Sequence, residues 1–162
     1  QFLQQNFPLL TNDMILVDVY KTNKSVNENK KSIKNMIKKL KNNESIGFFP
    51  SGEVSHWKWN RFYAKDPEWS NTPAVLAKRT GASMVPITFH GCNPFVFQIL
   101  GLIHPILRTA LIPSMFLFLK MKTIHISIGK PIDTKKVNSF TNIECLTSFI
   151  RTKTEENINN YV

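Results

Sequence analysis

Seven consecutive residues, Phe49-Pro50-Ser51-Gly52-Glu53-Val54-Ser55, put a glycine, two hydroxyls and a carboxylate into one tight turn. Small residues let backbone N–H groups approach a phosphate or a carbonyl oxygen, and Ser and Glu side chains can hold a polyol or a lipid head group. The same composition also makes an ordinary turn, and on physics alone that is the better reading. Further along, Val85-Pro86-Ile87 leads to His90-Gly91, and a strand ending there could lie beside the strand that ends at Phe49. His56 and His90 border these two segments and could contact a substrate, although a lone His beside a turn is more often structural. His104 and His125 have weaker claims. Ser55 as a nucleophile would need a base within reach and a Gly-x-Ser-x-Gly elbow, whereas the chain reads Gly52-Glu53-Val54-Ser55, which argues against a covalent hydrolase. No His, Cys, Asp or Glu cluster has metal-ligand spacing, so neither a metal nor another bound cofactor is expected.

These residues need elements to position them. Met14-Ile15-Leu16-Val17-Asp18-Val19 is short, apolar and β-branched and reads as a buried strand. Ile33, Met36, Ile37 and Leu40 recur at the helical spacing, with lysines covering the rest of the surface, so the segment from Val26 predicts a basic amphipathic helix ended by Asn42-Asn43. Ile46-Gly47-Phe48-Phe49 reads as a second buried strand stopped by Pro50. Strand, helix, strand is the parallel crossover unit, whose ligands sit beyond the carboxyl ends of the strands, where Ser51 to Ser55 falls. A loop is expected from His56 to Trp69. Asn71-Thr72-Pro73 starts a helix that Gly81 ends. Met84 to Phe89 predicts a third strand, with Pro86 at an edge, a start or a bulge, and the alternating Thr123 to Ile128 a fourth, half-buried one. Thr141 and Glu144 form a capping-box pattern for the last helix. The expected fold is one α/β domain over residues 1–162, a mixed and mostly parallel sheet flanked by helices.

At 162 residues and 42% apolar content the chain can bury a core, which excludes a disordered or fibrous protein. Between Lys21 and Lys41 eight lysines stand against Glu28, so this segment supplies +7 of the +10 net charge. Such a balance suits nucleic acid, an anionic membrane or a phosphorylated substrate, and equally a solvated helix face. Trp57, Lys58, Trp59, Arg61, Phe62, Tyr63 and Lys65 interleave rings with bases, which suits single-stranded nucleic acid or a membrane interface. The apolar stretch from Phe95 to Met121 favours the membrane or an acyl chain, since nucleic acid has no use for so much hydrocarbon; two core-packed helices are the structural alternative. Interrupted by Gln98, His104, Pro105, Arg108, Pro113 and Lys120, it lacks the roughly 18 unbroken apolar residues of a spanning helix. Cys92 and Cys145 are too few and too isolated for a disulfide framework and point to a reducing compartment.

Taken together, the segments resemble a family. Phe49 to Ser55 is similar to the third block, and Val85-Pro86-Ile87-Thr88-Phe89-His90-Gly91 to the fourth, of the glycerolipid (lysophospholipid) acyltransferases. Asp66-Pro67-Glu68-Trp69 and Gly129-Lys130-Pro131-Ile132 are similar to segments of the hemolysin-like branch, which includes enzymes of ornithine-lipid synthesis. The resemblance covers residues 14 to 133, in order and spacing.

It implies transfer of a fatty acyl group from acyl-CoA or acyl carrier protein to a lysolipid hydroxyl, by a peripheral protein on the cytoplasmic face of an anionic membrane. It also implies that Phe49, Pro50, Ser51, Gly52, Glu53, Val54 and Ser55, with Val85, Pro86 and Ile87, line the substrate site. The family's catalytic block is His-x-x-x-x-Asp, a general base and the group that orients it. No such pair exists here, because the residues five positions after the four histidines are Arg61, Phe95, Thr109 and Lys130. With Gln1 in place of Met, the chain reads as an N-terminally truncated fragment starting downstream of that block, with no catalytic residue of its own. The broader family has Phe-Pro-Glu-Gly-Thr, so Ser51 stands at its acidic position and Glu53 at its Thr position. Its phosphate-binding Arg falls near Val19 or Tyr20, with Lys21 the nearest cation, which weakens a glycerol 3-phosphate acceptor and leaves room for a lyso-amino-acid lipid. The alternative is a non-catalytic basic module that docks on anionic membrane or nucleic acid.

Overall fold

The computed structural model describes Ile15 and residues 23–119 and 123–159. The predicted strand from Met14 to Val19 lies outside these, apart from Ile15, which is half-buried and in no strand. Helix α1 (Asn23–Lys41) buries Met36 and leaves Lys30, Lys31, Lys34 and Lys38 exposed, as its apolar spacing requires. It packs on α2 (Thr72–Thr80). Asn43 ends it in the left-handed conformation, at φ 61°.

Two strands, β1 (His56–Lys58) and β2 (Arg61–Lys65), then pair antiparallel, with a register shift between His56 and Lys58. Asn71 precedes α2, Pro73 sits in its first turn, and the Gly81 N–H donates to the Ala77 carbonyl at 2.9 Å. Met84 and Ile132 exchange backbone hydrogen bonds of 3.0 and 2.7 Å, and beyond Pro86 the strand β3 (Ile87–Phe89) pairs antiparallel with β4 (Ile126–Ile128). Helices α3 (Phe95–Ile103) and α4 (Pro105–Leu119) connect those two strands. The short α5 (Thr134–Ser139) and the long α6 (Ile143–Asn159) follow. The core lies between α2, α5 and α6, where Ala74, Ala77, Ile132, Val137, Leu146 and Ile150 are buried, with Trp69, Met84, Phe140 and Phe149 packed around them. The Thr88 hydroxyl donates to the Thr154 carbonyl at 2.7 Å and so ties β3 to α6.

The chain is therefore an α/β domain, but the expected parallel sheet is not what forms. The described strands make two separate two-stranded antiparallel sheets. One crossover helix brings the next strand back parallel, whereas the helix pair α3–α4 reverses the chain once more and returns β4 antiparallel to β3. Ile46-Gly47-Phe48-Phe49 joins no ladder, and the Phe49 side chain is 79% exposed. The segment expected to loop from His56 to Trp69 contains the β1–β2 hairpin instead, its aromatic residues serving as strand formers. Asn142, rather than Thr141, caps α6, its side-chain oxygen accepting from the Glu144 N–H at 2.6 Å. Helix α5 was not anticipated in the sequence; Asp133 caps it through the Lys136 N–H at 2.7 Å.

Candidate functional site

The Phe49–Ser55 segment is a turn closed on itself. The Gly52 N–H donates to the Phe49 carbonyl at 3.1 Å, and the Ser51 hydroxyl to the Glu53 carbonyl at 2.9 Å. The His56 Nδ1 meets the Val54 carbonyl at 3.0 Å, which places that imidazole in the turn's own scaffold. Outward anchors follow. The Ser70 N–H donates to the Pro50 carbonyl at 2.9 Å, and the Ser55 hydroxyl donates to Asp66 Oδ1. Asp66 Oδ2 accepts from the Trp69 indole N–H at 3.1 Å. Arg151, reaching across from α6, donates to the backbone carbonyls of Asp66 and Pro67 at 3.0 and 3.1 Å and lies 5.8 Å over the Trp69 ring. The Asp66-Pro67-Glu68-Trp69 segment thus fastens the turn to the packed half of the molecule.

Glu53 leaves this scaffold with its carboxylate free of the turn. Its Oε2 lies 3.4 Å from the Arg108 guanidinium, the Glu53 side chain being 56% exposed and that of Arg108 only 12%. Arg108 lies over Gly101 on α3, where a Cβ would come within 3.1 Å of its Cδ. Glu53 and Arg108 line a groove of about 410 Å³ that His56, Trp57 and Trp59 share from the hairpin side and Leu102 from α3. The hairpin is pinned over α3 by two hydrogen bonds: the Trp57 N–H donates to the Gln98 side-chain oxygen at 3.0 Å, and the Trp59 indole N–H to the Leu102 carbonyl at 3.1 Å. The groove therefore has one anion, two cations in Arg108 and Lys58, and an aromatic wall, beside exposed apolar side chains of α3 and α4 such as Ile103 and Ile106.

The second predicted segment goes elsewhere. Val85 and Ile87 are exposed, while Pro86 is buried, accepts from the Gly129 N–H at 2.9 Å and lines a different groove. Phe49 and Phe89 bring the flanks of the two segments together, ring centroids 6.1 Å apart. His90 Nε2 meets Ser127 Oγ at 2.6 Å, and the Ile106 N–H donates to His104 Nδ1 at 3.2 Å, so both imidazoles serve local ties. Sequence reasoning passed over Arg108, whose signal was an isolated cation inside an apolar stretch, and Arg151, which had none.

Among the described residues no three His, Cys, Asp or Glu side chains gather closely enough to hold a metal ion, and no helix is long and apolar enough to cross a membrane. No family model, curated protein or solved structure matches this chain.

Proposed function

We propose that the protein acts in O-acyl transfer of membrane lipid synthesis, moving a fatty acyl group from acyl-CoA or acyl carrier protein to a lysolipid hydroxyl at the cytoplasmic surface of an anionic membrane. The observation that carries this reading is the groove in which Glu53 and Arg108 stand at the foot of α3 and α4. A charged pair at the mouth of an apolar wall suits an acceptor that is polar at its head and hydrocarbon behind it. In the reaction the acceptor oxygen bonds to the acyl carbon, its proton passes to a general base, and the thioester C–S bond breaks to release the thiol. Glu53 and Arg108 position the acceptor. The chain has no His-x-x-x-x-Asp pair, and the reading assigns the base to such a pair in the full gene product.

The test is transfer from labelled acyl-CoA and acyl carrier protein to a panel of lysolipids by the full-length product of the gene. We expect activity that Glu53→Ala lowers at least about tenfold, the loss of one charged positioning contact. Unchanged activity in that variant would remove the turn from the site, and no transfer to any lysolipid by folded protein would sink the reading.

A second reading, a membrane-docking module without catalysis, is favoured by the exposed side chains of Trp59, Phe62, Tyr63, Phe95, Ile103 and Ile106, all carried by the hairpin and helices that border the groove. Aliphatic side chains among them suit lipid better than nucleic acid. Vesicle co-sedimentation across salt separates the partners: binding that persists at high salt indicates insertion, and binding lost there indicates charge alone.

A further inference from the structure

The groove lined by Pro86 has a chemistry of its own, which acyl transfer does not use. It measures about 430 Å³ and runs between the Gly129-Lys130-Pro131-Ile132-Asp133 segment and one face of α6 that carries Phe149, Lys153, Glu156 and Asn157, with Lys136 of α5 also lining it. Those α6 positions fall at i, i+4, i+7 and i+8, so a single helical stripe forms one wall.

Three ammonium groups line this groove against two carboxylates, and both carboxylates are engaged. Glu156 pairs with Lys153 at 2.7 Å, and Asp133 accepts from the Lys136 backbone N–H. Among the described residues neither Lys130 nor Lys136 has a carboxylate within ion-pair distance. The Nζ atoms of Lys136 and Lys153 lie 5.2 and 5.8 Å from the Phe149 centroid, and that of Lys136 also 5.3 Å from the Phe140 centroid. The amide nitrogen of Asn157 is buried and has no hydrogen-bond partner among the described residues. It packs onto Gly129, where a Cβ would come within 2.8 Å of it. A buried donor without an acceptor, beside cations without carboxylates, fits a ligand that brings several acceptor oxygens.

We propose that this groove binds a phosphate monoester, its oxygens held by Lys130 and Lys136 with the Asn157 amide as a further donor, and its organic part laid on Phe149, Pro86 and Pro131. A monoester carries a charge near −2 at neutral pH, which the two lysines match, and the Phe149 and proline surfaces give the rest of the molecule an apolar bed. The phosphate could belong to a soluble metabolite or to a lipid head group, and the experiment separates these sources. The site stands whether or not the protein transfers acyl groups.

The probes are phenyl phosphate, followed by calorimetry, and phosphatidylcholine vesicles carrying either phosphatidic acid, a monoester, or phosphatidylglycerol, a diester. We expect phenyl phosphate to bind more tightly than inorganic phosphate, and the Lys130→Gln, Lys136→Gln double variant to lose at least about tenfold in affinity. A Lys30→Gln, Lys34→Gln variant, which removes the same charge from α1, should lose less than about twofold if binding is local. Thermal melts check that each variant folds; should the groove pair fail, Lys130→Gln alone, at an exposed position, gives the same reading. Phenyl phosphate binding lost in the groove variant supports a soluble ligand. A preference for phosphatidic acid over phosphatidylglycerol, lost in the same variant, supports a lipid one. Equal losses in both double variants, full binding by the groove variant, or binding of neither monoester probe would overturn the proposal.

Discussion

Two groups of apolar side chains in this protein are used in opposite ways. Between α2, α5 and α6 they are enclosed: Val137 and Leu146 are fully buried, and Phe140 and Phe149 pack with ring centroids 5.1 Å apart. On the β1–β2 hairpin and α3–α4 they point outward, Trp59 at 71% and Ile103 at 64% exposure. Even so, this second half is not loose. Phe97 and Gln98 of α3 are buried, and Trp57 sets its ring edge-on against both Phe62 and Phe95, at 6.1 and 5.6 Å. It has its own inner layer and an additional outer one. An apolar layer that is supported from beneath and left open above is built for contact with something else.

The sharpest way to break this comparison is by truncation on each side. Leu146→Ala should cost about 2–5 kcal/mol in urea-induced unfolding, because the enclosed site cannot collapse onto the missing atoms. Ile103→Ala should stay within about 0.5 kcal/mol, its side chain being already in contact with solvent. Equal costs at the two positions would show that the outer layer is part of the folding core.

The same asymmetry was half legible in the sequence. The α1 stripe, the start of α2 at Asn71-Thr72-Pro73 and its stop at Gly81 could all be read, since each depends on a local rule that tertiary contacts here leave in force. Strand direction could not. It depends on how many helices separate β3 from β4, and the stretch from Phe95 to Met121 gives little sign that it folds back on itself at His104-Pro105. Nor could the strand faces be read. Ile126-Ser127-Ile128 alternates as predicted, yet the isoleucines face outward, while Ser127 is paired with Thr88, whose hydroxyl bonds to α6. Of the site, the Phe49–Ser55 turn was visible as a cluster of small and polar residues. Its partners, Arg108 and Arg151, come from far along the chain; Arg108 is marked only as a lone cation in an apolar stretch, and Arg151 carries no local signature.

Next in size is the outer layer's own function. Replacing Trp59 and Phe62 together by Ser should reduce partition onto anionic vesicles by at least about tenfold, given that a fully transferred aromatic side chain is worth about 1.5–3 kcal/mol. Stability should fall by only about 1–2 kcal/mol, the loss of the Trp59 hydrogen bond to the Leu102 carbonyl and of the Phe62 contact with Trp57, and so less than at Leu146. If partition survives this and instead follows the lysines of α1, the exposed rings are not the contact surface.

Between the two regions stands Asp66, which accepts from both Ser55 and the Trp69 indole. Asp66→Ala leaves two half-buried donors without their acceptor and should cost about 1–3 kcal/mol. It should also release the Phe49–Ser55 turn to proteolysis before the core unfolds. Simultaneous loss of turn and core in limited proteolysis would mean that the two regions form one cooperative unit, and the contrast drawn between them would narrow to surface exposure.

The smallest stability effect belongs to the pair on which the proposed site depends. Glu53 and Arg108 meet at 3.4 Å with Glu53 largely in solvent, a geometry whose coupling is about 0.2–1 kcal/mol. Arg108→Met keeps an unbranched chain over Gly101, so it removes the charge while preserving most of the packing. A double-mutant cycle with Glu53→Gln should then show a coupling below about 1 kcal/mol in unfolding. On the proposed function, acyl transfer should respond differently. If Arg108 serves to hold Glu53 toward the acceptor, either single variant should lower transfer to a similar degree, and the double variant should lose little more. Additive losses would mean that the two groups act on different parts of the substrate, with Arg108 bound to a group of its own rather than orienting the carboxylate.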